Sequence, residues 1–305
     1  MVRLRRSAGL RGLMPLGFAR TGLTSSGGGA FDYSVSGSHS LRTYGIYTSV
    51  QWYGSGQFNI LSNGPPSTGL TCDILIVAGG GAGGQSNPGP GGGGAGGFRE
   101  FTSVYMPAET WTVTLGGGGN TGNPGNPGGG SNVTGPVVPN MYTTGGGGGG
   151  YYQQSGYQGG SGGGGGGYYT SGGPGNPSGY SPPEGYPGGG GYVSSFNKGG
   201  GGGGAGGTGW QAYTSYMMPG PYQNGGPGRY NYYADGSSSG YGVGGFAGGG
   251  EAYADAGWRG ISGNGNSNYT GYYNSAHGQP YGGAGGSAMP YNGGSGTVVI
   301  RWVTP

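Results

Sequence analysis

The sequence predicts an all-β protein: a small antiparallel β-sandwich framing a bundle of polyglycine II helices, with almost no α-helix. Three observations predict it. Gly supplies 93 of the 305 residues and Pro another 21, and an interior Gly costs an α-helix about 1 kcal/mol and a Pro about 3. Apolar and aromatic residues gather in a few short runs with strand patterning. Between those runs Gly repeats in uninterrupted blocks of four and six.

The strands come in order. Tyr44, Ile46, Thr48, Val50 and Trp52 alternate with Tyr47, Ser49, Gln51 and Tyr53, which predicts a half-buried strand. Gly54-Ser55-Gly56 reads as a turn, and Gln57–Leu61 as the return strand of a hairpin. Cys72-Asp73-Ile74-Leu75-Ile76-Val77-Ala78 is apolar on both faces and suits a central strand. Phe98–Tyr105 and Trp111–Leu115 flank a turn at 106–110, and Thr297–Val303 closes the chain as a strand expected to pair with an early one. Short strands of this kind predict a sandwich. The organisation follows: a basic arm at 1–30, a β-sandwich base at 31–115, a glycine-rich zone at 116–296 and a closing strand at 297–305.

The glycine zone has two readings. A Gly/Ser spacer is a flexible coil, yet a spacer has no need of Tyr at the ends of its Gly blocks. The alternative is packed extended helices with three residues per turn, a rise of about 3.1 Å and no internal hydrogen bonds. Every N–H and C=O then needs a partner on a neighbouring segment. Only Cα atoms bearing hydrogens alone let the segments approach, aided by Cα–H···O contacts. Blocks 145–150, 162–167 and 199–204 are six Gly long, and 91–94, 116–119 and 188–191 are four. Gly91, Gly118, Gly147, Gly164 and Gly201 are expected inside such a bundle.

Composition excludes other classes. Gly does not fall at every third position, so collagen is excluded. A net charge of +3 with 13% aromatics does not describe a charge-driven disordered chain. No stretch approaches the roughly 20 apolar residues of a membrane span. Eleven Lys and Arg are too few for a broad nucleic-acid surface. Five of those eleven, Arg3, Arg5, Arg6, Arg11 and Arg20, stand in the first 20 residues among Leu4, Leu10, Leu13, Met14, Leu16 and Phe18. That mixture reads as an arm that docks on a partner; the rest of the chain holds six basic and eight acidic residues.

No catalytic constellation is present. Gly79-Gly80-Gly81-Ala82-Gly83-Gly84 fits G-x-G-x-x-G after a strand, but the motif needs a helix next to bind a pyrophosphate, and residues 85–97 carry two Pro and seven Gly. His39 and His277 are the only histidines and Cys72 the only cysteine, so ligand spacing for a metal is missing. Cys72 reads as a buried, inert thiol. The eight acids are scattered. No enzyme activity, cofactor or metal is expected. Asn132-Val133-Thr134 and Asn268-Tyr269-Thr270 match glycosylation acceptors, a signal that applies only on a eukaryotic secretory route.

The binding candidates are tyrosines between Gly blocks: Tyr151, Tyr152, Tyr168, Tyr169, Tyr213, Tyr216, Tyr232, Tyr233, Tyr272 and Tyr273. Mixed with Ser, Asn and Gln, they have the composition of adaptable binding loops. The same rings also serve as the coat of a bundle with no other hydrophobic cover, and the two readings stand side by side.

The order of motifs resembles a known family. An aromatic strand region (44–61) leads to an apolar strand running into Gly (72–84), then Gly94-Ala95-Gly96-Gly97-Phe98-Arg99, then Trp111-Thr112-Val113-Thr114-Leu115 with four Gly, many Gly blocks, and Gly296-Thr297-Val298-Val299-Ile300-Arg301. Over residues 40–303 this resembles the glycine-rich domain of bacteriophage and large-virus structural proteins, and it is similar to tail-fibre tip adhesins built as a polyglycine sandwich. The resemblance implies a virion location, as fibre, spike or surface decoration, or as a purely architectural capsid or tail component. Its implied partners are other virion proteins through the arm and a host-surface glycan or protein at the Tyr loops. A symmetric homo-oligomer is expected, a trimer first.

Overall fold

The computed structural model describes residues 32–61, 69–85, 88–135, 141–193, 197–212, 225–236, 245–250, 282–286, 288 and 291–304. The arm at 1–30, with Arg3, Arg5, Arg6, Arg11 and Arg20, lies outside them.

Twelve strands are described: β1 (Asp32–Val35), β2 (His39–Tyr44), β3 (Tyr47–Trp52), β4 (Gly56–Leu61), β5 (Leu70–Val77), β6 (Phe98–Met106), β7 (Thr110–Thr114), β8 (Ser131–Thr134), β9 (Met141–Thr143), β10 (Arg229–Tyr230), β11 (Gly245–Phe246) and β12 (Thr297–Val303). No α-helix occurs among the described residues. One antiparallel sheet has the order β1-β4-β7-β8-β9 and the other β2-β3-β12-β5-β6. The fold is all-β and sandwich-like. β12, the closing strand, pairs with early strands on both sides: Ile300 stands opposite Val50 of β3 and opposite Ile74 of β5.

Two apolar layers hold the sheets. Between them lie Trp52, Phe58, Ile74, Ile76, Trp111, Val113, Val298, Ile300 and Trp302. The Trp302 ring stacks on Phe58 at 5.6 Å and meets Tyr33 edge-on at 5.1 Å. Buried indoles keep a polar partner: Trp52 Nε1 donates to Ser36 O at 3.0 Å and Trp111 Nε1 to Pro107 O at 3.3 Å. On the outer face of the second sheet, Leu75, Val77 and Val299 pack under Ala205, Ala234, Phe246 and Ala247. β5 and β12 are therefore covered on both faces, as the unbroken apolar run 72–78 predicts. Cys72 is buried in the inner layer.

Four expectations are corrected. The strand expected from Tyr44 to Tyr53 is two strands, folded at Gly45 (φ +52°) and Ile46 so that Tyr44 stands opposite Tyr47. β3 is not half-buried, because Ala234 and its neighbours cover its outer face; Ser49 Oγ donates to Ala234 O at 2.7 Å. Nor is 57–61 the return strand of a hairpin. β4 belongs to the opposite sheet, where it pairs with β1 and β7. Trp52 and Phe58 both point into the interior, 6.0 Å apart between ring centroids, so three residues carry the chain across the sandwich rather than back along it. The sandwich also continues past residue 115, since β8 and β9 complete the first sheet.

β5, β7 and β9 run straight into Gly segments 78–84, 116–119 and 144–150, and segments 91–97, 125–130 and 291–296 feed β6, β8 and β12. The hydrogen bonds of these segments repeat every three residues. Ala78, Gly81 and Gly84 donate to Gly97, Gly94 and Gly91 (3.0, 2.8 and 3.0 Å). Gly79 and Ala82 donate to Gly129 and Asn126, and Gly80 and Gly83 to Gly294 and Tyr291. Each residue turns its N–H to a different neighbour by a third of a turn, which is the threefold geometry of polyglycine II.

The physical transition is simple. Side chains keep stacked sheets about 10 Å apart. Beyond Val77 they vanish, and amides bond across the gap: Gly79, which follows β5, donates to Gly129, which precedes β8 in the other sheet. Gly91, Gly147, Gly164 and Gly201 are buried within this array and Gly118 is half-buried at its rim. A Cβ at Gly164 would sit on the Gly200 carbonyl, and one at Gly147 on the Tyr157 carbonyl, closer than real Cβ atoms come.

Candidate functional site

Strand directions give the bundle two ends. Segment 144–150 leaves the sandwich with β9; 161–167 runs parallel to it (Gly147 and Gly150 donate to Ser161 and Gly164, both 2.9 Å), and 185–191 runs parallel to that (Gly162 and Gly165 donate to Tyr186 and Gly189). The residues that follow these three segments, 151–154, 168–170 and Tyr192 with its bridge partner Lys198, therefore meet at the end far from the sandwich.

Their tyrosines form a ladder. Tyr152 meets Tyr168 at 5.9 Å, Tyr168 meets Tyr169 at 6.5 Å and Tyr169 meets Tyr192 at 5.0 Å, all edge-on. Tyr169 is 65% exposed, Tyr168 49% and Tyr151 37%. Gln153 (φ +64°), Tyr168 (+84°) and Tyr169 (+55°) hold left-handed backbone, which costs L-residues about 1–2 kcal/mol each. Two consecutive tyrosines in that conformation throw both rings outward from a turn whose Thr170 hydroxyl donates to Gly166 O. A hydrogen bond with Tyr169 raises the Tyr192 phenol above its ordinary value, with burial and the neighbouring phenol adding to the shift.

The other candidates lie elsewhere. Tyr232 and Tyr233 sit at the sandwich end, where Tyr44 Oη donates to their carbonyls at 3.1 and 2.6 Å. Tyr233 is 9% exposed and stacks on the Arg301 guanidinium at 4.0 Å, so its ring belongs to the packing. Tyr232 remains 44% exposed. Tyr213, Tyr216, Tyr272 and Tyr273 lie outside the described residues, as do His277 and Asn268. Asn132 is inside β8, and its Oδ1 is buried.

Gly79–Gly84 is the first bundle segment, and what returns from it, 91–97, is another extended segment. Burial, then the Asp73 carboxylate, pushes the Cys72 thiol far up. His39 Nδ1 lies 2.8 Å from Gly37 O. Among the described residues no group of three His, Cys, Asp or Glu stands together as a metal site.

The sequence reading overlooked Tyr192, Lys198 and Glu184. Tyr192 stands between Gly blocks like the others but as a single Tyr, so a search for pairs misses it. Lys198 is the only lysine in the chain. Glu184 is fully buried where sandwich meets bundle: its Oε2 accepts from Thr144 N at 3.0 Å, and its Oε1 has no partner.

A family model described as a glycine-rich domain matches residues 54–303. The chain belongs to that family. The match opens just before β4 and closes at the end of β12, so this glycine-rich domain comprises most of the sandwich and the entire bundle. No curated protein matches the chain.

Proposed function

We propose that this glycine-rich domain is a virion structural subunit, a fibre, spike or surface-decoration protein, that displays its far-end tyrosine turns for recognition of a host surface. The observation that carries the reading is the ladder from Tyr152 through Tyr168 and Tyr169 to Tyr192, gathered at the end of a rigid body away from the sandwich. Tyrosine rings offer flat amphipathic area at low entropic cost. The left-handed backbone at Tyr168 and Tyr169 supports the reading as well, because strain of this kind clusters where function demands it. The basic, leucine-rich arm joins the chain before β1, on the sandwich side, and serves as the docking element.

One observation favours an architectural role instead. The turn backbone also ties together the ends of segments 145–150 and 162–167, where Gln153 N donates to Gly167 O at 3.1 Å. A single experiment separates the two. Substituting Tyr151, Tyr169 and Tyr272 with Ser abolishes host adsorption by assembled particles if the turns recognise the host. Normal adsorption leaves the architectural component. Deleting residues 1–22 releases the subunit from particles; retention refutes the docking arm.

A further inference from the structure

The ladder rings do not all meet in the same way. Tyr152 and Tyr168 are 5.9 Å apart and Tyr168 and Tyr169 are 6.5 Å apart, whereas Tyr169 and Tyr192 stand at 5.0 Å, the shortest step in the row. This last pair is also joined through its hydroxyls. The bond that raises the Tyr192 phenol keeps the proton on Tyr192, so the Tyr192 hydroxyl donates and the Tyr169 oxygen accepts.

The two rings come from different segments. Tyr169 follows 162–167 in a turn of left-handed backbone. Tyr192 follows 185–191, and its main chain is tied to Lys198 by two hydrogen bonds of 2.8 and 3.0 Å. Backbone fixed on both sides keeps the rings together, while Tyr169, 65% exposed, stays open to solvent. A phenol gives up one electron and one proton to a one-electron oxidant. The unpaired electron left behind is shared between the oxygen and ring carbons, those ortho to it among them. Ortho carbons flank the hydroxyl, so a bond from hydroxyl to hydroxyl brings the ortho carbons of two rings side by side.

We infer that Tyr169 and Tyr192 form a site of oxidative coupling, at which a haem peroxidase with hydrogen peroxide joins the two rings as dityrosine. Each phenol loses an electron and a proton. A carbon–carbon bond then forms between the ortho positions, and each ortho hydrogen passes to its own ring's oxygen as aromaticity returns. The two electrons and two protons released reduce one hydrogen peroxide to two waters. The link ties the turn at 168–170 to residue 192, and with it the ends of two parallel bundle segments. It leaves the threefold amides behind them untouched. This goes beyond the display reading and does not depend on it, because a displaying and an architectural subunit gain the same covalent clasp.

The test treats the full chain with a haem peroxidase and hydrogen peroxide, at a dilution that suppresses encounters between molecules. Dityrosine fluorescence, intact mass and fragment mass spectrometry follow the product. The expected product is a monomer lighter by two hydrogens, with the link at Tyr169 and Tyr192, and it resists urea better than the untreated chain. Tyr169→Phe and Tyr192→Phe each abolish the link and the gain, since a phenylalanine ring has no hydroxyl to oxidise. Tyr232→Phe, at the sandwich end where the ring is 44% exposed, leaves both unchanged. Thermal unfolding verifies that each variant folds. A link that maps to another pair, coupling only between molecules, or an undiminished monomeric link in Tyr192→Phe overturns the inference. So does an absence of dityrosine while free tyrosine couples in the same mixture. The particle adsorption assay judges the display reading separately.

Discussion

Replacing Gly164 with Ala tests whether main-chain amides form the interior. Gly164 N donates to Gly92 O at 2.7 Å, and Gly164 O accepts from Gly150 N at 2.9 Å. The added methyl would overlap the Gly200 carbonyl, which itself accepts from Gly92 N at 3.1 Å. Segment 199–204 must move away from 162–167 or twist. Overpacking a tight core costs about 1–3 kcal/mol, and each buried backbone group left without its partner about 1–3 more. With two groups stranded the loss is roughly 3–9 kcal/mol, a large part of the about 5–15 kcal/mol by which domains are stable. Gly117 is the control. It is exposed, nothing lies within 4 Å of the position its Cβ would take, and Ala there stabilises by about 0.4–1 kcal/mol by restricting the unfolded chain. Urea unfolding followed through the sandwich tryptophans, with amide exchange across 162–167, reads both variants. If Gly164→Ala falls within about 0.5 kcal/mol of Gly117→Ala, the spread ordinary for exposed sites, the glycine interior is refuted.

Other outcomes follow from the same contacts. Burial raises the Glu184 carboxyl above its ordinary value, against the lowering effect of the Thr144 bonds and Arg99. The folded state therefore holds the proton longer than the unfolded chain. The associated stability is complete below the unfolded value and is lost as pH rises through the folded one. Glu184→Gln accordingly flattens that slope and raises the midpoint of unfolding at neutral pH; an unchanged pH profile refutes the assignment. Arg301 lies between the rings of Tyr47 (4.5 Å) and Tyr233 (4.0 Å) while bonded to Asp73, so Arg301→Met costs about 2 kcal/mol in denaturant melts, less at high salt. Cys72, buried with a raised pKa, reacts with a thiol reagent only on unfolding, so fast labelling of the native chain contradicts its placement.

The strands were legible because each carries its own period. Residues 72–78 show both faces apolar, and both faces are covered. The side on which each strand lies was not legible. Trp52 and Phe58 flank Gly54-Ser55-Gly56, and a hairpin and a crossing to the opposite sheet look alike over so few residues; only the partners in β1 and β7 decide. Gly blocks announce that they pack, but identical residues cannot announce with whom. The tyrosine pairs show the same gap. Tyr168-Tyr169 and Tyr232-Tyr233 are the same dipeptide, yet both rings of the first are displayed at the far end, while Tyr233 of the second packs in the layer over Leu75, Val77 and Val299.

Homogeneous blocks reverse the usual rule about insertions and substitutions. In an ordinary core an inserted residue shifts every side chain after it, whereas Ala is the mild change. Between Gly147 and Gly148 an inserted Gly is indistinguishable from its neighbours. Phase is fixed at the sandwich end by Met141–Thr143, so the block keeps its threefold bonds to Gly79, Ala82, Ser161 and Gly164. The surplus residue emerges in the turn at 151–154, and lengthening that four-residue loop by one costs about 0.2 kcal/mol in closure entropy. Gly148→Ala, by contrast, drives a methyl into the Gly125 carbonyl and the segment behind it. The insertion should therefore melt close to the parent and the substitution far below it. If the insertion proves as damaging as the Ala, the blocks are held by their own sequence rather than by the strands that feed them. Tolerance of the insertion means that evolution can vary the turns freely on an invariant body, which is the property a recognition surface requires.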